Sequence, residues 1–238
     1  MESPAPADAR ISIIGAGPGG LTCARVLRRH GIPVTVYDRD AGANARDQGG
    51  SLDLHEEDGQ LALREAGLLD EFFALARAEG QEMRQLDPAG RVLAHHLPDE
   101  GETAAPEIDR GLLRDLLVRS LAPGTVQWGR ALTAVSGPAA GPRTLTFTDG
   151  TTVETDLVIG ADGAFSRVRG AVSAATPRYT GIGFLEARFD GREHAHPELS
   201  RLVGQGGAHI ADGERGIFAQ RNGGGHLRAY LLRRVPVD

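Results

Sequence analysis

The sequence has no lysine: all 26 of its basic residues are arginine. That excludes Schiff-base chemistry on a lysine amine, and it excludes the lysine of a Walker-type phosphate loop. Any anion clamp must be built from guanidinium groups, helix N-termini and backbone N–H. Cysteine is nearly missing as well. Cys23 stands alone, so neither an internal disulfide nor a cysteine-rich zinc site is available, and nothing points to an oxidising compartment. No apolar run approaches the roughly 20 residues that span a bilayer. Residues 1–9 have no apolar core and read as a flexible leader, not a signal peptide, so a cytoplasmic location is expected. A net charge of -6 without a polybasic arm or interleaved aromatics argues against a nucleic-acid binder. What is present is ordinary for a soluble globular chain: 40% apolar and 24% charged residues over 238 positions. The 33 glycines and 13 prolines promise many tight turns.

The first structured unit is a strand, a glycine turn, a helix and a second strand. Ile11, Ile13 and Ile14 form an apolar strand that ends in Gly15-Ala16-Gly17-Pro18-Gly19-Gly20. A helix follows from Pro18 to about His30, started by a proline that suits a first turn and stopped by Gly31. Residues 33–37 are the second strand, with Asp38 at its carboxyl end. Helical periodicity resumes at 57–66 and 69–78, and 81–96 reads as a hairpin turning at 87–90. An amphipathic helix follows with Leu112, Leu113, Leu116, Leu117 and Leu121 expected inward. Residues 126–135, 144–148 and 151–155 read as strands, with Asp149-Gly150 as a two-residue turn. Leu157-Val158-Ile159 is expected as a short buried strand, and from Tyr179 onward the pattern is strand-like throughout.

Two motifs carry chemistry. Gly15, Gly17 and Gly20 fit G-x-G-x-x-G in the required place, after a strand and opening a helix. The first glycine permits the tight turn, the second admits a pyrophosphate to the backbone, and the third allows close helix–strand packing. Asp38 is placed to accept from a ribose hydroxyl. FAD and NAD(P) share this fingerprint, so it leaves both open. The second motif is Leu157 to Arg169, where an apolar strand delivers Asp162 and Gly163, followed by Ser166, Arg167 and Arg169. An acid beside a flexible glycine can order ribityl hydroxyls or water next to a phosphate. A plain Asp-Gly turn with a solvated basic face is the alternative.

Together with Gly49-Gly50-Ser51-Leu52-Asp53-Leu54-His55 and Pro106-Glu107-Ile108-Asp109-Arg110-Gly111-Leu112-Leu113-Arg114, these stretches resemble the aromatic-hydroxylase class of FAD-dependent monooxygenases. The match is closer still to its TetX-like, tetracycline-inactivating branch. The resemblance implies an α/β fold: a Rossmann-like FAD-binding domain of the p-hydroxybenzoate hydroxylase type with a β-rich substrate domain, incomplete at the C-terminus. It divides the chain into the leader (1–9), FAD-binding parts at 10–68 and 99–176, and substrate-domain parts at 69–98 and 177–238. It implies that Asp53 and Arg110 contact FAD, that Arg46 helps bind NADPH, and that Asp162 and Gly163 serve both. The implied chemistry is hydroxylation of an aromatic or polyketide-like molecule by NADPH and O₂ through a C4a-hydroperoxyflavin, with antibiotic modification as one such role. No protein nucleophile is expected as a catalytic residue. Glu186 and Arg228 stand where the branch would place a glutamine and a histidine, so they are the expected substrate contacts, for a substrate other than tetracycline.

The later Gly-Asp segment of the family has no counterpart after Asp162, which implies either a truncated chain or one whose missing part a partner supplies, and self-association through exposed apolar surface is expected. Two other function readings stay open: a non-catalytic dinucleotide-binding remnant, and a flavin-dependent reductase or halogenase of the same fold. Lesser signals read blandly. His194-Ala195-His196 has chelate spacing but no third ligand, so no metal is expected. Arg25, Arg28 and Arg29 form a basic helix face expected in solvent, and Cys23 is expected to be a buried, inert thiol. Phe184 and Phe189 fit either a substrate cavity or the core.

Overall fold

A computed structural model describes residues 9–138, 140–191 and 195–236. The chain divides into two compact units. The first runs to Asp47 and takes in Ala62–Leu69 and Gly111–Pro177; the second comprises Gln48–Leu61, Asp70–Arg110 and the chain from Arg178 onward. Residues 48–61 and 99–110, expected with the nucleotide-binding part, therefore cluster with the second unit. Asn222 Nδ2 donates to Ser51 Oγ and Gly223 N–H donates to Asp109 Oδ1, which ties them there.

The first unit is built on a parallel sheet. Strand β1 (Ile11–Ile14) lies between β2 (Val34–Tyr37) and β11 (Leu157–Gly160), and β7 (Val126–Gln127) pairs beyond β2. Helix α1 (Pro18–Arg29) crosses from β1 to β2 and buries Leu21 and Ala24 completely. Gly31 ends it at φ +74°, donating its N–H to the Arg28 carbonyl. Helix α4 (Arg110–Arg119) buries Leu113, Leu116 and Leu117, but Leu112 is 41% exposed, contrary to the expectation for it. A meander of β8 (Leu132–Ser136), β9 (Arg143–Phe147) and β10 (Thr152–Thr155) completes the unit. Ile14, Tyr37, Leu132, Leu145, Phe147 and Val168 form one core cluster.

Several local expectations change here. Phe147 N–H donates to Thr151 O and Gly150 N–H to Phe147 O, so the β9–β10 connection has three residues. Gly150 takes the positive-φ position at +80°. Strand β11 lies at the sheet edge with Leu157 half exposed, where a buried strand was expected. The arginine face of α1 is not simply solvated. Arg25 donates to the carbonyls of Ala66 and Ser120, and Arg29 to that of Glu65, so they cap two helix C-termini. Cys23 is half-buried, and desolvation raises its thiol.

The second unit is a six-stranded sheet in the order β12-β15-β14-β13-β4-β5. Its strands are β4 (Met83–Leu86), β5 (Val92–His96), β12 (Ile182–Asp190), β13 (Gly207–Asp212), β14 (Arg215–Arg221) and β15 (His226–Arg234). A two-stranded ribbon of β3 (Ser51–Asp53) and β6 (Glu107–Asp109) belongs to the same unit. The hairpin turn at 87–90 forms as expected, with Gly90 N–H on the Asp87 carbonyl. Helix α5 (Pro197–Val203) was not expected; a proline at its first turn starts it within an otherwise strand-like stretch. Phe184 is 67% exposed and so is no core residue, although it packs edge-on against Tyr230. Phe189 packs edge-on against His196. His194 lies outside the described residues. Helices α2 (Gly59–Ala66) and α3 (Leu69–Leu75) follow the ribbon's first strand.

Glu82 anchors β4 to the loop after α5. Its buried carboxylate accepts from Gln205 N–H at 2.5 Å, Arg84 Nε at 2.8 Å and His95 Nε2 at 2.8 Å. Burial alone would raise this carboxyl, but those hydrogen bonds and the Arg84 charge outweigh it and hold it below the ordinary 4.5. A depressed acid stabilises the fold above its unfolded value, and that stability is lost as pH falls through the folded one. The urea midpoint of the wild type is therefore expected to drop faster below about pH 4.5 than that of Glu82→Gln. Parallel curves for the two proteins would refute this.

Candidate functional site

In the first unit the glycine fingerprint turns out of β1 with each glycine in a different setting. Gly15 has φ +106°, and a Cβ there would sit 2.6 Å from the Ala161 carbonyl carbon, on the turn that leads to Asp162. A Cβ at Gly20 would overlap the Gly15 carbonyl oxygen. Gly17 and Gly19 face open space, with nothing within 4 Å of an added Cβ. Gly17 is also the N-cap of α1, in extended conformation and without a side-chain cap. The result is a cradle at a helix N-terminus, open at Gly17 and Gly19, of the kind whose backbone N–H groups can receive an anion.

The acids around this cradle are held by backbone N–H groups and one hydroxyl. Asp38 accepts from Ala16 N–H at 2.6 Å and from Asp40 N–H at 2.8 Å. Asp162 accepts from Ser166 Oγ at 2.6 Å and from Arg167 N–H at 2.6 Å, which fixes the turn containing Gly163. Gly163 itself adopts φ +84° and is exposed. Arg46 is exposed and its Nε lies 3.2 Å from Asp40.

One residue beneath the cradle escaped the sequence reading. Arg114 on α4 is 2% exposed. It donates to Ala16 O at 2.9 Å, to Ala43 O at 2.7 Å and to Asp40 at 3.0 Å, and lies over the Trp128 ring at 5.1 Å. It thus joins α4 to the fingerprint turn and to the loop after β2. The only signal in the sequence was a charged residue on the helix stripe shared by Leu113 and Leu117.

In the second unit the β3–β6 ribbon positions Asp53 and Arg110. Arg110 N–H donates to Gly50 O at 3.0 Å, and its side chain lies 3.9 Å from where a Cβ on Gly49 would stand. Asp53 is exposed, with His55 Nε2 3.9 Å away. Next to this turn is one face of the sheet. A Cβ at Gly50 would lie 2.9 Å from the Tyr230 hydroxyl, 3.3 Å from Gln220 Oε1 and 3.7 Å from Arg228 Cδ. Arg228 is buried and ion-paired with Glu186 across β15 and β12. Tyr230 stacks on Phe218 and meets Phe184 edge-on, so an aromatic stripe flanks the ion pair. Gln220 and Tyr230 also escaped the sequence reading. Strand alternation placed Tyr230 beside Arg228, but only pairing with β14 brings in Gln220 and Phe218.

An FAD binding domain family matches residues 8–208. The chain belongs to that family. It is 31% identical over 242 residues to Monooxygenase asqM of Emericella nidulans, covering 94% of this chain and 54% of asqM. It is 37% identical over 179 residues to 3-amino-4-hydroxybenzoate 2-monooxygenase of Streptomyces cremeus, covering 73% of this chain and 44% of that enzyme. Among solved structures, tetracycline destructase Tet(55) shares the fold, with a TM-score of 0.72 at 21% identity, covering 97% of this chain and 57% of Tet(55). The fold is thus the FAD-binding fold of the p-hydroxybenzoate hydroxylase type. The chain spans about half the length of the relatives it matches. Among the described residues no helix is long and apolar enough to cross a membrane.

Proposed function

We propose that this chain is the FAD-binding and substrate-facing part of a monooxygenase that hydroxylates a small aromatic or polyketide-like molecule with NADPH and O₂. The observation that carries the reading is the fingerprint itself: Gly15 and Gly20 are closed by backbone, while Gly17 opens onto the uncapped N-terminus of α1. That cradle fits a pyrophosphate, and Asp38 beside it fits a ribose hydroxyl. FAD, when bound, supplies the redox chemistry that activates O₂. The chain's own residues bind and orient. Gly17 and the α1 N-terminus hold the pyrophosphate, and Asp38 the ribose. Asp53, Arg110, Asp162 and Gly163 are the further cofactor contacts, and Arg46 assists NADPH. Glu186 and Arg228, flanked by Phe184 and Tyr230, hold the substrate. The pairing of Arg228 with Glu186 favours a neutral substrate with hydrogen-bonding groups over a free carboxylate.

Visible absorbance of the purified chain with added FAD tests the first step, and NADPH-dependent O₂ uptake with a panel of phenols tests turnover. A yellow protein that consumes O₂ only with a phenol is expected. A colourless protein that gains no flavin absorbance would sink the enzyme reading for this chain, and flavin binding without uptake would leave it a binding remnant. Exposed apolar side chains in each unit, such as Phe165 and Phe184, favour self-association. A monodisperse monomer in size-exclusion chromatography of the same preparation would count against that.

A further inference from the structure

Glu107 is an acid that the proposed chemistry does not use, yet it lies behind the Gly50 turn with only 3% of its surface exposed. Its backbone pairs in both directions with that of Arg77, at 2.7 and 3.2 Å. Arg77 Nη2 donates to Glu107 Oε2 at 2.7 Å and to the Arg221 carbonyl at 2.6 Å. On another side Glu107 packs against Gly80, where a Cβ would stand 2.8 Å from Glu107 Cβ. Its remaining oxygen, Oε1, accepts from Gln220 Nε2 at 2.8 Å.

That last bond orients an amide with two different ends. With its NH₂ held by Glu107, Gln220 turns its oxygen toward the Gly50 turn, where the Tyr230 hydroxyl and Arg228 also converge. An ionised carboxylate can only accept, so it selects this orientation. A protonated carboxyl carries a donor, and the arrangement that satisfies that donor pairs it with the Gln220 oxygen. The NH₂ then faces Gly50. We propose that Glu107 is a positioning residue for Gln220, and that its protonation decides whether Gln220 presents an acceptor or a donor to the Gly50 face of the substrate site.

Naming that face a substrate site rests on the proposed function; the orientation of the amide does not. The groups that face Glu107 are Arg77, Gln220, Asp53 from β3 and Asp109 from its own strand. Burial pushes the carboxyl up to about 7, with Asp53 and Asp109 adding to the rise and Gln220 and Arg77 opposing it. Both orientations are then populated near neutral pH. Above the transition the face accepts from a phenol or amine, and below it the face donates to a carbonyl or phenolate.

The test is ¹⁵N–¹H NMR of the side-chain amides, with the Gln220 pair identified by its loss in Gln220→Leu. In the wild type that pair is expected to titrate with a midpoint near 7. In Glu107→Gln, which is neutral at every pH, it should stay flat between about pH 5.5 and about 8.5. A wild-type pair that does not move over that range, or that moves identically in Glu107→Gln, overturns the proposal. Should Glu107→Gln fail to fold, the ¹³C carboxyl titration of Glu107 in the wild type decides. A midpoint at the ordinary 4.5 overturns the proposal, and one near 7 supports it. Neither readout needs flavin or turnover, so a chain that proves unable to bind FAD leaves this result standing.

Discussion

Replacing Arg114 by methionine is expected to destabilise the first unit by about 3–5 kcal/mol, the range found when one partner of a buried ion pair is removed. Methionine keeps much of the side-chain volume, so the loss comes from charge and hydrogen bonds and little from a cavity. Arg114 satisfies two carbonyls, Ala16 and Ala43, and the Asp40 carboxylate, whose side chain is only 8% exposed. Asp38 lies 3.9 Å from the same guanidinium. Without it, two partly buried carboxylates lose the guanidinium they share, and the exposed Arg46 remains near Asp40. Arg114→Lys retains the charge but cannot span three acceptors with a planar fork, so it should fall between methionine and wild type. Urea unfolding at neutral pH measures the series. A loss under about 1 kcal/mol for Arg114→Met would show that the network is no stronger than an exposed pair, and would refute the anchoring role. Because Ala16 sits inside the fingerprint, flavin retention should fall in the same order as stability.

Arg114 also shows where sequence reading stops. The strand, glycine turn, helix, strand unit was legible because each piece has its own local cause: a short apolar run, a proline at N1, a glycine at the helix end. The 87–90 turn was legible for the same reason. What could not be read is what stands opposite each element. Leu112 and Leu113 are equally apolar, yet only Leu113 meets a neighbour that buries it. Arg25 and Arg29 look like solvent residues until helices α2 and α4 end beside them with unpaired carbonyls. The β9–β10 loop has three residues and not two because the strands register Phe147 against Thr151, a tertiary choice that Asp149-Gly150 alone does not dictate. The second unit's candidate site is of this kind throughout. Its sheet face is assembled from β12, β14 and β15, so the family resemblance pointed to Glu186 and Arg228, while Gln220 and Tyr230 emerge only from the strand pairing.

The fingerprint glycines allow stability and cofactor binding to be separated by mutation. Gly20→Ala places a methyl group onto the Gly15 carbonyl oxygen, a backbone atom that cannot rotate aside. Overpacking of this kind costs about 1–3 kcal/mol, against which the helix-propensity gain of alanine over glycine returns about 1 kcal/mol at most. Gly20→Ala should therefore lose stability and flavin together. Gly17→Ala is the opposite case. The residue has φ -76° and ψ 174°, which alanine adopts without strain, and its Cβ would touch nothing. The stiffer unfolded chain contributes about 0.4–1 kcal/mol, which the poorer fit of alanine at an N-cap offsets by a similar amount, so its stability should change by less than about 1 kcal/mol. Yet the new methyl fills the space through which a pyrophosphate must reach the backbone N–H groups of α1. A penalty of about 1.4 kcal/mol is already tenfold in the dissociation constant, and loss of one charge-assisted hydrogen bond alone is of that size. Flavin titration by fluorescence quenching, paired with urea unfolding of the same samples, separates the two. If Gly17→Ala binds FAD as tightly as the parent, the open position of the turn is not where the cofactor's phosphates lie.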